Sequence, residues 1–384
     1  MSNQVKETIK EVFNDLANAL ETGELGEKIK IGLTINGSEL GYDVMKQAAY
    51  TVKDKGLFDV VTIGTAQDWT ADFEHYEATT EEEVEAKLDE LLADQTIQGS
   101  VTLHHPFPVG VATVGRIVTP ALGKPMYIAT TTGTTATVRT EAMVLNTING
   151  IVAAKAAGVE NPTVGILNVD GANTVERALR KLNENGYPIN FGESQRSDGG
   201  TVLRGNDVLM GSVDVLVTDS LTGNILMKLF GAYTSGGNYE VSGSGYGPGI
   251  GDGFKENICI VSRASGAPVI AGALEYAYEV AKGGLADVSK REYDLAKHAG
   301  LNEIRESLQP KAPAAEKEVK MPEKEIVTAQ INGIDVLDLE EAVKALWKEG
   351  IYAESGMGCA GPIVLVSDAN LDKSTDIVKE KGFL

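Results

Sequence analysis

Cysteine is almost absent from this 384-residue chain: Cys259 and Cys359 are the only two. That excludes a disulfide framework and any cysteine-rich zinc or iron–sulfur site. Positive charge is scarce as well, with 34 Lys and Arg against 55 Asp and Glu, a formal charge of −21. Without a Lys/Arg cluster there is no groove for nucleic-acid phosphates and little attraction to an anionic membrane surface. No run approaches the ~18 apolar residues of a membrane span. Met1–Leu20 has no continuous apolar stretch of the signal-peptide kind; Val5, Ile9, Val12, Phe13, Leu16 and Leu20 recur at helical spacing among charges. A cytoplasmic protein is expected. What is present is ordinary for a globular chain, 42% hydrophobic and 23% charged residues, and the length suits two or three domains.

Apolar β-branched runs flanked by glycine alternate with helical patterns. Strands are expected at Lys30–Ile35, Asp59–Ile63, Gly99–Leu103, Pro125–Thr130, Thr163–Val169, Asp214–Thr218 and Ile258–Val261. Helices are expected at Tyr42–Lys55, Glu81–Ala93, Arg139–Ala157 and Thr174–Glu184. The alternation argues for an α/β fold with mainly parallel sheets. Pro310, Pro313 and Pro322 among Lys, Glu and Ala mark 309–325 as a linker. Beyond it, 326–384 reads as a small unit: a strand, a helix at Asp338–Glu349, a glycine-rich loop, the strand Ile363–Ser367 and a last helix.

Three strand-end turns carry groups suited to an oxyanion. In the first, Asp219 ends a strand and Thr222, Gly223 and Asn224 open a helix, so backbone N–H groups face outward at the positive end of its dipole; plain capping by Asp219 or Thr222 explains the same residues. In the second, Thr132, Gly133, Thr134 and Thr135 offer hydroxyls and amides between a strand and a helix, or form a threonine-rich loop with one cap. In the third, Ser262, Arg263 and Ser265 follow a strand; the arginine can bind phosphate bidentately or join a surface ion pair.

Asp219-x-x-Thr-Gly-Asn followed by an apolar helix with Lys228 resembles the signature of the phosphate acetyl/butyryltransferases, and is similar to the turn of the acyl-carrier-protein:phosphate acyltransferases. Ser262-Arg263 is similar to the Ser-Arg pair with which phosphotransacetylases hold substrate. The resemblance covers roughly residues 25–305. It implies a two-lobed, mainly parallel-sheet fold of the isocitrate-dehydrogenase-like type, with the active site in the cleft. The lobes are expected at 1–145 plus 269–308 and at 146–268. The acetyltransferases usually carry a catalytic aspartate seven residues after the serine; here Val269 stands there.

Glu354-Ser-Gly-Met-Gly-Cys359-Ala-Gly-Pro362 sets one cysteine among minimal side chains ahead of a strand, open to close approach by a substrate and flanked by amides able to steady a thiolate. A packed structural cysteine is the other reading, and Cys259, inside Asn-Ile-Cys-Ile-Val, is expected in the core. A phosphotransacetylase-like body joined to this Gly-Met-Gly-Cys-Ala-Gly-Pro unit resembles the alpha subunits of component C of the glycine/sarcosine/betaine reductase complex, over essentially the whole chain. That family belongs to amino-acid-fermenting anaerobes. The resemblance implies a carboxymethyl group on selenoprotein A that becomes an acetyl thioester, at Cys359 in this chain, and release of acetyl phosphate by inorganic phosphate. It also implies a thiolase-like beta subunit as direct partner, no resident cofactor or metal, and an oligomeric assembly.

His104 and His105 end a strand and can supply an acid or base in the cleft, or be surface polar residues. The run Ser242–Gly253 has glycine at every second position, without the strand-then-helix context of a dinucleotide fingerprint; a flap, a long hairpin and a partner-contact loop all fit it. Two further functions stay open: an acyl-carrier or assembly subunit whose partner does the chemistry, and a dehydrogenase using a nicotinamide cofactor and a metal, for which no carboxylate cluster is evident.

Overall fold

The computed structural model describes residues 28–197, 199–310, 319–358 and 361–384, together with Phe13. The helix expected over residues 1–20 falls, Phe13 apart, outside the described residues, and so does Cys359.

The chain forms β1 (Lys30–Thr34), α1 (Tyr42–Lys55), β2 (Asp59–Gly64), β3 (Glu74–Glu77), α2 (Glu81–Ala93), β4 (Gly99–Thr102), β5 (Ala112–Val118), β6 (Pro125–Gly133) and α3 (Arg139–Ala156). There follow β7 (Thr163–Leu167), α4 (Ala172–Glu184), β8 (Asn190–Phe191), β9 (Val202–Leu203), α5 (Gly205–Met210), β10 (Val215–Val217), α6 (Ser220–Ala232), β11 (Gly247–Ile250) and β12 (Ile258–Ile260). Then come α7 (Ala267–Lys282), α8 (Leu285–His298), α9 (Leu301–Ser307), β13 (Ala329–Asn332), α10 (Leu339–Lys348), β14 (Ala353–Gly358), β15 (Gly361–Val366) and α11 (Leu371–Glu380).

Local chemistry explains the elements. Helix α1 buries Met45, Ala48, Ala49 and Val52, the i, i+3, i+4, i+7 stripe of a half-buried helix, and ends on Gly56 in the left-handed region. Helix α2 begins with a capping box between Thr80 and Glu83. Ile31, Leu33, Val61, Ile63 and Val101 are fully buried, as strands covered on both faces require.

The protein is a mixed α/β molecule built on one large, mainly parallel sheet of order β3-β2-β1-β4-β12-β11-β5-β6-β10-β7-β8, with β9 also beside β7. β3, β2, β1, β4 and β12 form one parallel set. β6, β10, β7, β8 and β9 form another. Between them, β12–β11, β11–β5 and β5–β6 are all antiparallel. Three reversals in succession make the two sets run in opposite senses, so their carboxyl ends lie at opposite edges of the sheet. The pairing cuts across the lobe limits read from the sequence: β6, before residue 145, lies beside β10, and β12, before residue 269, lies beside β4.

Of the readings left open for the alternating-glycine run, the structure shows the hairpin, β11 pairing antiparallel with β12. Gly247–Ile250 is the central strand β11, buried throughout, and not a flap. A Cβ at Gly247 would stand 1.8 Å from the Val114 carbonyl oxygen, and one at Gly249 2.3 Å from the Phe107 ring; only glycine lets this strand enter. A correction concerns the loop ahead of residue 359: Ala353–Gly358 is a strand, paired with β15 so that Gly358 stands opposite Gly361. Cys259 is fully buried in the core. The C-terminal unit has its own sheet, β13-β15-β14, and its own core around Ile331, Val343, Leu346 and Val364. Among the described residues no helix is long and apolar enough to cross a membrane.

The junction yields a test. Gly247→Ala combines a positive φ of 79° with the 1.8 Å collision and is expected to cost about 3 kcal/mol or more. Gly253→Ala has the same φ but nothing within 4 Å, and should cost about 1 kcal/mol. Urea unfolding of both variants checks the difference; equal costs would mean that β11 is not held as described.

Candidate active site

At the carboxyl end of β12 the chain turns through Ser262, Arg263 and Ser265. The Ser265 hydroxyl accepts from the Ser262 N–H at 3.1 Å and donates to Glu240 at 2.9 Å. Glu240 is 4% exposed. A buried carboxylate needs partners, and Glu240 also accepts from the Tyr246 hydroxyl at 2.9 Å and from Lys228 Nζ at 2.8 Å. Burial, and then the Glu240 carboxylate, push the Tyr246 phenol well up, so it stays protonated and donates to Glu240. Main-chain bonds from Glu240 N to Ala264 O and from Gly266 N to Glu240 O tie the two segments together.

Lys228 Nζ also donates to Ser262 Oγ at 2.7 Å, and the Ala264 N–H donates to the same oxygen at 3.2 Å. A hydroxyl has two lone pairs and one proton. With both lone pairs filled, Ser262 is left with its O–H, a donor held beside the Lys228 ammonium. Arg263 pairs with Glu81 at 3.1 Å across two exposed side chains, a contact worth little and easily exchanged. The guanidinium lines a cavity of about 210 Å³ with Thr34, Asn36, Thr102, His104 and His105, and Glu81, Glu82 and Glu85 form another wall. Here the carboxyl ends of β1 and β4 and the start of α2 converge, where α/β sheets hold ligands. His104 is exposed; His105 is half-buried, its Nδ1 is buried without a hydrogen-bond partner, and its ring packs edge-on to Phe107. Burial lowers the His105 pKa, with Asp89 and Glu85 opposing the shift.

The structure brings Ser262, Arg263, Ser265, His104 and His105 to one sheet edge. It places the other turns elsewhere. Asp219 is the N-cap of α6, accepting from the Thr222 N–H at 3.1 Å and from the Thr222 hydroxyl at 2.8 Å, so the capping role left open by the sequence is what this turn displays. Gly223 is there because α6 crosses β6 closely: a Cβ would stand 1.8 Å from the Thr130 carbonyl oxygen. Asn224 donates to Thr131 O at 3.2 Å. Thr135 is buried and bonded to Asn146 at 2.8 Å, Asn146 reaches Thr218 O, and Gly133 and Thr134 close the β6 end, where Thr134 O accepts from Gly110. Thr132 is half-buried beside them. This second cluster sits at the carboxyl ends of β6 and β10. Helix α6 links the two, Lys228 lying about 9 Å along the axis from Thr222. Val269 is buried in α7.

Sequence reasoning named Lys228 only as part of a motif, and missed Glu240 and Tyr246. Their signal is weak: one acid and one tyrosine in a glycine-rich stretch, joined to the site only by tertiary contacts.

This is an α/β protein with hydrogen-bond donors gathered at strand ends, and similarity narrows the class. Residues 29–365 match the family described as fatty acid synthesis protein. Over 385 residues, the full length of both chains, the protein is 53% identical to the glycine/sarcosine/betaine reductase complex component C subunit alpha of Peptoclostridium acidaminophilum. It therefore belongs to the family of component C alpha subunits, within the broader fatty acid synthesis protein family. A phosphate acyltransferase of Acetivibrio thermocellus is 39% identical over 87 residues, 21% of this chain and 22% of that one. A branched-chain phosphotransacylase structure from Enterococcus faecalis aligns with TM-score 0.46 and 15% identity over 66% of this chain and 99% of that one.

The depressed His105 predicts a pH dependence. The unfolded chain takes up this proton near pH 6.5, the folded one only at lower pH, so His105 makes stability fall as pH drops below about 6.5. His105→Gln should make the loss of stability between pH 7.5 and 5.5 shallower in urea titrations; an unchanged slope would contradict the assignment.

Proposed function

We propose that the chain moves an acetyl group from a thioester to inorganic phosphate, releasing acetyl phosphate, as the alpha subunit of a glycine, sarcosine or betaine reductase complex. The observation that carries this reading is the Ser262 hydroxyl, left as a donor beside Lys228 Nζ, with the exchangeable Arg263 next in the chain. Arg263 lines the pocket and Ser262, its neighbour in the chain, holds its donor beside Lys228; such donors suit a phosphate, and family membership supports the acyl chemistry. Cys359 accepts the acetyl group as its thioester; a phosphate oxygen then attacks the carbonyl carbon, the C–S bond breaks and the electron pair leaves on the Cys359 sulfur. Phosphate is already nucleophilic and thiolate a fair leaving group, so positioning replaces the base that Val269 cannot provide. The selenoprotein A carboxymethyl group as source and a thiolase-like beta subunit as partner complete the proposal, with phosphate as substrate and no resident cofactor.

The C-terminal unit rests on α4: Arg177 bonds Asp338 at 2.8 Å and the Phe383 carbonyl at 3.3 Å, and Asn173 bonds the Gly333 carbonyl at 3.4 Å. To serve the Ser262 pocket the unit has to leave this dock, and residues 309–325 can span about 55 Å when extended. The same resting place favours a second reading, in which the unit carries the acyl group to a partner that does the chemistry.

Exchange of labelled phosphate into acetyl phosphate by the isolated chain separates the two. The transferase reading expects exchange that falls about 100-fold or more in Arg263→Gln and Lys228→Gln and is abolished in Cys359→Ser. Exchange that survives Arg263→Gln overturns the site, exchange that survives Cys359→Ser overturns the thioester, and no exchange by the folded wild type supports the carrier.

A further inference from the structure

The largest cavity described, about 420 Å³, lies between the body and the C-terminal unit. Its floor is the β7–α4 turn, Asn168–Gly171; its walls include Arg196 and Arg204; its roof is Gly333–Val336, with Pro362 of β15 at the rim. The topology singles this place out. β7 and β10 are parallel neighbours. Val175 and Leu179 of α4 pack with Val164 and Val215, whereas Met227 of α6 packs with Leu216. Because alternate residues of a strand face opposite ways, α4 and α6 lie on opposite faces of the sheet. The cavity opens at the carboxyl ends of β7 and of its other parallel neighbour, β9, where Asn168–Asn173 and Arg204 line it, at the edge on which α/β sheets receive ligands.

The charges in the cavity decide which ligand. Two carboxylates of its lining face cations, Asp170 with Arg139 at 3.8 Å and Glu176 with Arg180 at 2.7 Å, while Asp335 accepts from neutral donors, among them the Leu337 N–H at 3.0 Å. Arg204 is half-buried, and among the described residues no carboxylate lies within ion-pair distance of it. A partly desolvated guanidinium without an ion pair among the described residues suits an anion, and its forked donors match a phosphate. We propose that this cavity is a binding site for a phosphorylated small molecule, its phosphate held by Arg204, and that the site is complete only while the C-terminal unit is docked. It is separate from the Ser262–Arg263 pocket and does not rest on the transferase reading.

Calorimetric titration of the full-length Arg263→Gln chain, in which the other pocket is disabled, tests it with three probes: inorganic phosphate, acetyl phosphate and 4′-phosphopantetheine. Saturable binding of at least one is expected, weakened about tenfold or more by adding Arg204→Gln. The same binding should weaken in Arg177→Ala, which loosens the dock without lining the cavity, with circular dichroism showing that the variant folds. The probe that binds identifies the source of the phosphate. Absence of binding by all three, or affinity unchanged by Arg204→Gln, overturns the site; loss with Arg204→Gln but not with Arg177→Ala overturns its dependence on docking.

Discussion

A carboxylate taken out of water must be met by hydrogen-bond donors or the fold that buries it is penalised by several kcal/mol. Glu240 meets that demand with Lys228, Tyr246 and Ser265, which come from α6, from the approach to β11 and from the turn after β12. The consequence reaches beyond stability. Lys228 is fixed where its second bond falls on Ser262, and the Ser265 hydroxyl braces the Ser262 N–H. Two donors of the candidate site, Lys228 and Ser262, are thus positioned by a buried acid. Such a network is stiff because each member has a partner that cannot be removed without leaving another orphaned.

The sheet gives this arrangement its geography. Three antiparallel pairings around β11 turn one parallel set against the other, so that carboxyl ends, and the loops able to receive ligands, occur at both edges. One edge holds the Ser262–Arg263 pocket with His104 and His105. The other holds the Asp219 cap, the threonine turn and the crevice that the C-terminal unit covers. Helix α6 spans the distance, its start packed on β6 through Gly223 and its third turn anchored by Lys228. On the proposed reading such a layout has a use, since an acyl group held at one edge stays away from nucleophiles at the other until its carrier moves.

Much of this was legible in the residues. β1, β2, β4 and β7 are short β-branched runs that burial on both faces demands, and the periods of α1 and α2 are unambiguous. β11 was not legible, because a strand of Gly-Pro-Gly-Ile carries none of the side chains by which strands are recognised; its glycines answer to the Val114 carbonyl and Phe107 across the sheet. β14 was hidden in the same way by Ser355, Gly356 and Gly358. At the site, Ser262, Arg263, His104 and His105 could be picked out by type and strand-end position. Asp219 could be read as cap or ligand with equal right, since both uses need an acceptor at a helix start. Glu240 escaped because its importance comes from partners up to 25 residues away in sequence, and no local pattern marks a buried acid.

The account turns on an acetyl group that rests on Cys359 and leaves with phosphate. Peptide mass mapping of the full chain after incubation with acetyl phosphate measures this directly, with Cys359→Ser alongside. The account predicts an acetyl adduct on the Cys359 peptide that added phosphate removes and that is missing from the serine variant. An acetyl group found stably on another residue, or a folded chain with none on Cys359, would contradict it.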